Sequence, residues 1–217
     1  MMEKNMEGAL KRMESWYPTS DFNADLLEQE KDLRAKCKEI KAKFVPPHLV
    51  VYHFDEHNKK RSSIVMFENG LPDEPKEKFG VFAMIGQKMA GLTHGILSAF
   101  FVSESWIVRQ DLSGKVDTSI RPSESPNRSE VVVIVGCTVD QRNNQLIIPI
   151  TGRTKSEALK LGESEVHNSS VAKDGEQVAK FESPLFEGFW MGYANSLFGK
   201  IQSRMEEGRS KVARIRR

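Results

Sequence analysis

The chain carries one run in which apolar residues stand at consecutive positions, between Ser129 and Val139. A strand of that kind has both faces covered, so we expect it near the middle of a sheet. A second apolar run, Gln145–Thr151, follows after the turn-forming residues 140–144. The two runs therefore predict a hairpin inside a core that contains both helices and strands.

The remaining apolar patterns complete an α+β fold. They predict a mixed, mainly antiparallel sheet of five strands, at residues 48–54, 62–68, 96–109, 130–139 and 145–153. Helices that cover this sheet are predicted at residues 23–44, 74–90 and 184–207. Pro149 has no backbone N–H to donate, so its strand should lie at a sheet edge or carry a bulge.

Apolar residues recur at helical spacing in the first and last of these helices. In the first, they form one narrow stripe among charged residues, which indicates packing by a single face. Its members are Leu26, Leu33, Cys37, Ile40 and Phe44. In the last, they step by four, which predicts a packed helix of about five turns. Its members are Phe189, Tyr193, Leu197, Ile201 and Met205.

The length of 217 residues favours a single domain over residues 1–217. Within it, residues 1–20 are expected to form a peripheral N-terminal helix. The polar residues 154–182 are expected to form a long, partly mobile excursion. Residues 208–217 form a basic tail.

Composition restricts the compartment more than the function. The net charge of +2 is close to neutral, and no apolar run approaches the length of about 20 residues that a membrane helix needs. The N-terminus lacks the apolar stretch of a secretory signal, and the two cysteines suit buried free thiols. We therefore expect a cytoplasmic protein without a membrane contact, and the sequence contains no metal or cofactor motif.

Glu104 is the first candidate for chemistry. Alternate side chains of a strand share a face, so Glu104 should lie in an apolar row between Val102 and Trp106. Burying a charge is costly unless the group finds a cation or a proton, and perturbed carboxylates are enriched at functional sites. A bulge at residues 103–105 that turns the side chain outward, or a structural ion pair, is the simpler alternative.

The proline-stiffened loop at residues 121–130 provides further candidates. Glu104, Glu124 and His53 are the candidate catalytic groups. Arg109, Arg121 and Arg128 are the candidate ligand-binding groups, since guanidinium groups clamp anions in bidentate fashion. Solvated surface charges are the alternative for this loop.

His53 also begins a segment, His53–His57, that has the letters of an H-x-x-E-H zinc motif. That motif needs both histidines on one helix face, whereas this segment spans the end of a strand and a turn. No zinc site is therefore predicted.

The C-terminus has the clearest charge pattern of the chain. Its cations outnumber its acids, and such a cluster attracts phosphate backbones without reading sequence. The candidate nucleic-acid contacts are Lys200, Arg204, Arg209, Lys211, Arg214, Arg216 and Arg217. A solvated helix end, whose cations complement the helix dipole, explains the same cluster equally well.

Two functions fit this sequence. The first is a small binding or assembly module, expected to be a homo-oligomer, that could touch nucleic acid through its basic C-terminus. The second is an enzyme that acts on an anionic substrate around Glu104 and the loop at residues 121–128. The absence of a nucleophile, metal set or cofactor loop favours the first.

Overall fold

The computed structural model describes residues 17–108, 122–140, 142–168 and 184–215. Its helices are α1 (Thr19–Glu39), α2 (Pro75–Leu92) and α3 (Pro184–Ile215). Its strands are β1 (His48–Phe54), β2 (Lys60–Met66), β3 (Gly95–Val108), β4 (Arg128–Thr138), β5 (Asn143–Arg153), β6 (Leu159–Leu161) and β7 (Glu165–Asn168). The predicted α+β class with an antiparallel sheet is confirmed.

In the described part of the chain the sheet has seven strands, in the order β2-β1-β3-β4-β5-β6, and β7 also pairs with β5. The prediction of five strands is therefore wrong. The two additional strands, β6 and β7, lie inside the polar stretch 154–182, which was expected to be a partly mobile excursion. They pair with the far side of β5, where backbone N–H and C=O groups would otherwise lack partners. Residues 169–183 lie outside the described part of the chain.

The strand predicted to be central is β4. It pairs with β3 on one side and with β5 on the other, both antiparallel. Its run from Val131 to Thr138 is almost entirely buried, as continuous apolar sequence indicates for a strand that is covered on both faces.

Pro149 marks the point where β5 changes partners. β7 pairs with β5 up to Ile147, and β6 pairs with it from Ile150 onwards, with a register shift between Ile150 and Gly152. Because Pro149 has no N–H to donate, it fits the position between these two pairings. The predicted irregularity in the strand of Pro149 is confirmed, whereas the alternative prediction, that this strand lies at a sheet edge, is wrong.

The first helix begins and ends earlier than predicted. It begins at Thr19, after Pro18. The separate N-terminal helix predicted for residues 1–20 stays a prediction for residues 1–16, which lie outside the described residues. It ends at Glu39 rather than near Phe44, because Lys41 adopts a φ of 50° that a right-handed helix excludes. Ile40 and Phe44 consequently leave the predicted stripe, and they are 72% and 63% exposed.

The buried face of α1 lies on the sheet, and it includes Phe22, which precedes the predicted stripe. Phe22 packs against Phe100 on β3, with their ring centroids 5.4 Å apart. Gly136 on β4 makes this approach possible, since a Cβ atom there would lie 2.5 Å from the Phe100 ring and 3.0 Å from the Phe22 ring. The face of β3 that carries Phe100 is therefore the face that α1 covers.

The described chain forms two compact units. One comprises the described residues within 1–51, 63–70 and 98–181, and it contains α1 packed on β3, β4 and β5. The other comprises the described residues within 52–62, 71–97 and 182–217, and it contains α2 and α3. The expected single domain over residues 1–217 stays a prediction.

In the second unit, α2 and α3 run parallel with their backbones in contact. A Cβ atom on Gly188 would lie 2.5 Å from the Phe79 carbonyl oxygen, and one on Gly192 would overlap the carbonyl oxygen of Ala83. Further along, the Lys200 ammonium group donates a hydrogen bond to the Ala90 carbonyl oxygen. Because the partners advance together along both helices, the pair is parallel.

Both of these helices are longer than predicted. α2 continues through Gly91 to Leu92 and ends where Thr93 donates its N–H to the Met89 carbonyl oxygen, at 3.1 Å. α3 continues past residue 207 to Ile215. Residues 208–215 of the predicted basic tail are therefore helical.

Candidate functional site

Glu104 occupies the place that strand alternation predicts. β3 and β4 pair in continuous register from Ser98 to Val108, so the predicted alternative of a bulge at residues 103–105 is wrong. Glu104 stands opposite Val132, on the same face of β3 as Phe100 and Val102. It lies at the border of the core beneath α1, where the apolar row ends.

A backbone amide engages this carboxylate. Val45, in the segment between α1 and β1, donates its N–H to Glu104 Oε1 at 2.6 Å. Burial raises the pKa of the Glu104 carboxyl, and the hydrogen bond from Val45 opposes that rise. Glu130 raises this pKa further, while Arg153 lowers it. Burial dominates, so protonation of Glu104 is easier in the folded protein than in the unfolded chain.

The neighbouring charges are engaged with each other and with the same connecting segment. Arg153 forms an ion pair with Glu130 at 2.8 Å and donates to the carbonyl oxygen of Lys43. The Ala42 carbonyl oxygen accepts a hydrogen bond of 2.8 Å from the N–H of Leu159 on β6. Arg153, Leu159 and Glu104 thus hold residues 42–45 from three strands, which is the arrangement of a structural clasp.

Arg128 and Glu124, the described candidates from the loop at residues 121–130, contact other groups than the clasp. The Arg128 guanidinium lies over the Trp106 ring, 4.9 Å from its centroid, and donates to the Ser123 carbonyl oxygen at 2.5 Å. Glu124 is exposed in a short 3₁₀ turn at Pro122–Glu124. The structure therefore places Arg128 on the same β3–β4 face as Glu104, next to Trp106.

The other predicted site residues are two arginines and a histidine. Arg109 and Arg121 lie outside the described residues. His53 is buried in β1 and belongs to the second unit, where its Nδ1 lies 3.2 Å from the carbonyl oxygen of Phe54. Among the described residues, no three His, Cys, Asp or Glu side chains stand close enough to hold a metal ion.

Among the candidate cations of the basic C-terminus, the structure describes only the side chain of Lys200. The Lys200 ammonium group donates to the Ala90 carbonyl oxygen near the end of α2, where a cation also suits the helix dipole. Arg204, Arg209, Lys211 and Arg214 belong to α3, but their side chains lie outside the described part of the structure, as do Arg216 and Arg217. Lys200 thus has a structural partner within its own unit.

Sequence reasoning missed a groove between α2 and α3. We call it the helix-pair groove, and its volume is about 430 Å³. It is lined on α2 by Gly80, Ala83, Met84 and Gln87, and on α3 by Met191, Gly192, Asn195 and Ser196. The available signal was the spacing of Gly188 and Gly192, since glycines four apart place a bare strip on one side of a helix.

The groove combines exposed apolar side chains with an uncharged lining. Met84 and Met191 are each 53% exposed, and Phe198 continues the exposed side of α3 at 65%. Every residue described in the lining is neutral, in a chain of which 29% is charged. Exposed apolar surface with few charges is typical of surfaces that bind other proteins.

Comparison with protein-family models, with curated proteins and with solved structures finds no match for this chain. In the part of the chain that the structure describes, no helix combines the length and apolar character needed to cross a membrane.

Proposed function

We propose that the protein is a non-catalytic binding and assembly module, and that it contacts its partner through the helix-pair groove. The observation that carries this proposal is the exposure of Met84 and Met191 beside small, uncharged lining residues. Methionine side chains adapt their shape to a partner, and they are enriched in protein interfaces. Small residues leave room for a partner to approach the helix backbones.

An enzyme with its site at Glu104 has weaker support. A general base must be within hydrogen-bond reach of a substrate proton, whereas Oε1 of Glu104 already accepts the Val45 amide. Arg153, the nearby cation, is paired with Glu130. These contacts suit a role in holding the chain together.

Nucleic-acid binding through the basic C-terminus also has weaker support. Lys200 is engaged with the Ala90 carbonyl oxygen. The other cations contribute positive charge near the end of a helix, where cations are stabilised by the helix dipole. We therefore assign the binding function to the groove and treat nucleic acid as one outcome of the test.

Cysteine chemistry supports a cytoplasmic location as part of this proposal. Cys37 and Cys137, which are both described, are not joined by a disulfide. Burial raises the pKa of the Cys37 thiol, the neighbouring Glu104 raises it further and Arg34 lowers it, so the protonated thiol is favoured. Reduced thiols of this kind suit a reducing compartment.

Site-specific photo-crosslinking in cells of the source organism tests the proposal. A photoreactive amino acid replaces Met191 in one variant and Leu27 in the control. The two positions are matched, because they are 53% and 52% exposed and both lie on helices. We expect discrete protein adducts from position 191, and none from position 27.

The adducts distinguish protein binding from nucleic-acid binding. Discrete protein adducts at position 191 alone support the proposed function. Equal labelling at both positions, or none at position 191, overturns it. A nuclease-sensitive adduct at position 191 also overturns it, in favour of nucleic acid.

A further inference from the structure

The helix-pair groove carries both a protrusion and a recess on one patch. Met84 and Met191 project from it with half of their surface exposed, while Gly80, Ala83 and Gly192 contribute little or no side chain. A twofold interface brings the same patch of two copies face to face, so it needs both features on one surface. The groove meets that requirement.

Charge favours the same conclusion. When a patch meets its own copy across a twofold axis, any charge near the axis meets a like charge. The helix-pair groove avoids this repulsion, because its described lining is neutral. Its polar groups include Gln87 and Asn195, and a side-chain amide both donates and accepts hydrogen bonds. Such an amide can therefore pair with the same amide of a second copy.

We propose that the occupant of the helix-pair groove is the groove of a second copy of this chain. The α2–α3 pairs of the two copies meet across a twofold axis. The exposed methionines of each copy then pack over the small residues of the other. Gln87 and Asn195 pair across the interface with amides of the partner copy. This inference rests on the proposed function and names the partner for the same surface.

Charge complementation at Met191 tests the proposal. The variants Met191→Lys and Met191→Glu are purified separately, and their masses are measured by light scattering after size-exclusion chromatography at moderate salt. We expect a dimer for the wild-type chain, and at least a roughly tenfold weaker dimer for each variant alone. An equimolar mixture of the two variants should recover part of the dimer, because the mixed interface then contains opposite charges instead of like charges.

The matched control is Leu27→Lys, which adds the same charge at a side chain of equal exposure on α1. We expect this variant to remain dimeric. Thermal unfolding of each variant shows whether it is folded. If the Met191 variants are unfolded, the substitution pair Met84→Lys and Met84→Glu provides the same test at the other exposed methionine.

The outcomes separate this inference from the function on which it rests. A wild-type monomer at all concentrations, or variants that dimerise as well as the wild type, overturns the second copy as occupant. If position 191 still crosslinks to a different protein in cells, the proposed function stands. If it crosslinks to nothing and the chain is monomeric, both fail.

Discussion

The backbone N–H of Val45 donates a 2.6 Å hydrogen bond to Oε1 of Glu104, and this bond joins the segment before β1 to the middle strands of the sheet. Val45 is buried, so its amide has little access to water as an alternative partner. Arg153 and Leu159 bind the carbonyl oxygens of Lys43 and Ala42 in the same segment. Glu104 is therefore best understood as one of three anchors of this connection.

Removing the acceptor at position 104 should destabilise the fold. Glu104→Ala leaves the Val45 N–H buried and unpaired, and we expect a loss of about 1–3 kcal/mol in the free energy of unfolding. Glu104→Gln keeps an oxygen acceptor of the same shape and should unfold close to the wild type at neutral pH. Urea denaturation of the three proteins measures the difference. An alanine variant as stable as the wild type would contradict the anchoring role.

Protonation of Glu104 should make the free energy of unfolding depend on pH. Because burial raises its pKa in the folded state, the folded protein binds more protons than the unfolded chain in the interval between the two pKa values. The contribution of Glu104 to the free energy of unfolding therefore falls as pH rises through that interval. It is most favourable below the ordinary glutamate pKa.

Glu104→Gln removes this titration. The stability of the variant relative to the wild type should therefore increase as pH rises from below the ordinary glutamate pKa towards neutrality. Urea midpoints measured for both proteins across this range provide the comparison. A relative stability that decreases with rising pH would show that the Glu104 pKa is lowered by its partners.

Contact between the α2 and α3 backbones should make Gly192 intolerant of substitution. In Gly192→Ala the new methyl group overlaps the Ala83 carbonyl oxygen, so the helices must separate. We expect a loss of about 3 kcal/mol or more, since backbone atoms cannot move aside as a flexible side chain would. Thermal unfolding followed by circular dichroism measures it.

Gly199 provides a matched control on the same helix. A Cβ atom at Gly199 meets nothing within 4 Å. Gly199→Ala should raise stability by about 0.5–1 kcal/mol, because alanine favours the helix more than glycine does. Equal effects of the two substitutions would argue against a close α2–α3 contact.

Arg142 should also be intolerant of substitution, because it joins the β4–β5 turn to the start of α1. Its side chain donates to the Tyr17 carbonyl oxygen at 2.7 Å and to Thr19 Oγ1 at 3.1 Å, and it pairs with Asp140 at 2.8 Å. Arg142→Ala leaves Asp140 largely buried without its cation. We expect a loss of about 3–5 kcal/mol.

Denaturation and hydrogen exchange check this prediction together. The first turns of α1 should exchange faster in Arg142→Ala than in the wild type, since Thr19 loses a contact there. Arg61→Ala is the control, because Arg61 pairs with Asp55 at the surface and should cost less than about 1 kcal/mol. Unchanged exchange in α1 would show that Arg142 does not hold this helix.

Local periodicity predicted the position of Glu104 correctly. Alternation along β3 put it on the face of Phe100 and Val102, and the continuous register with β4 keeps it there. Alternation does not identify partners, however, and Val45 is separated from Glu104 by two strands and a helix in sequence. The distinction between an acid that reacts and an acid that anchors depends on that partner.

The helical stripe of α1 shows a different limit. Leu26 and Leu33 are buried as predicted, whereas Ile40 and Phe44 are exposed because Lys41 leaves the helical region of backbone space. Their spacing continued the pattern, but a single backbone angle ended the helix. Apolar spacing thus predicted the helix better than it predicted where the helix stops.

The sequence by itself determined the α+β class, the antiparallel sheet and the central position of β4, because burial leaves its period in the order of apolar residues. Tertiary structure decided the rest. β6 and β7 are strands because β5 offers them an open side, and the helix-pair groove exists because Gly192 meets Ala83 from a distant part of the chain. Such contacts join segments whose separation in sequence leaves no periodic trace.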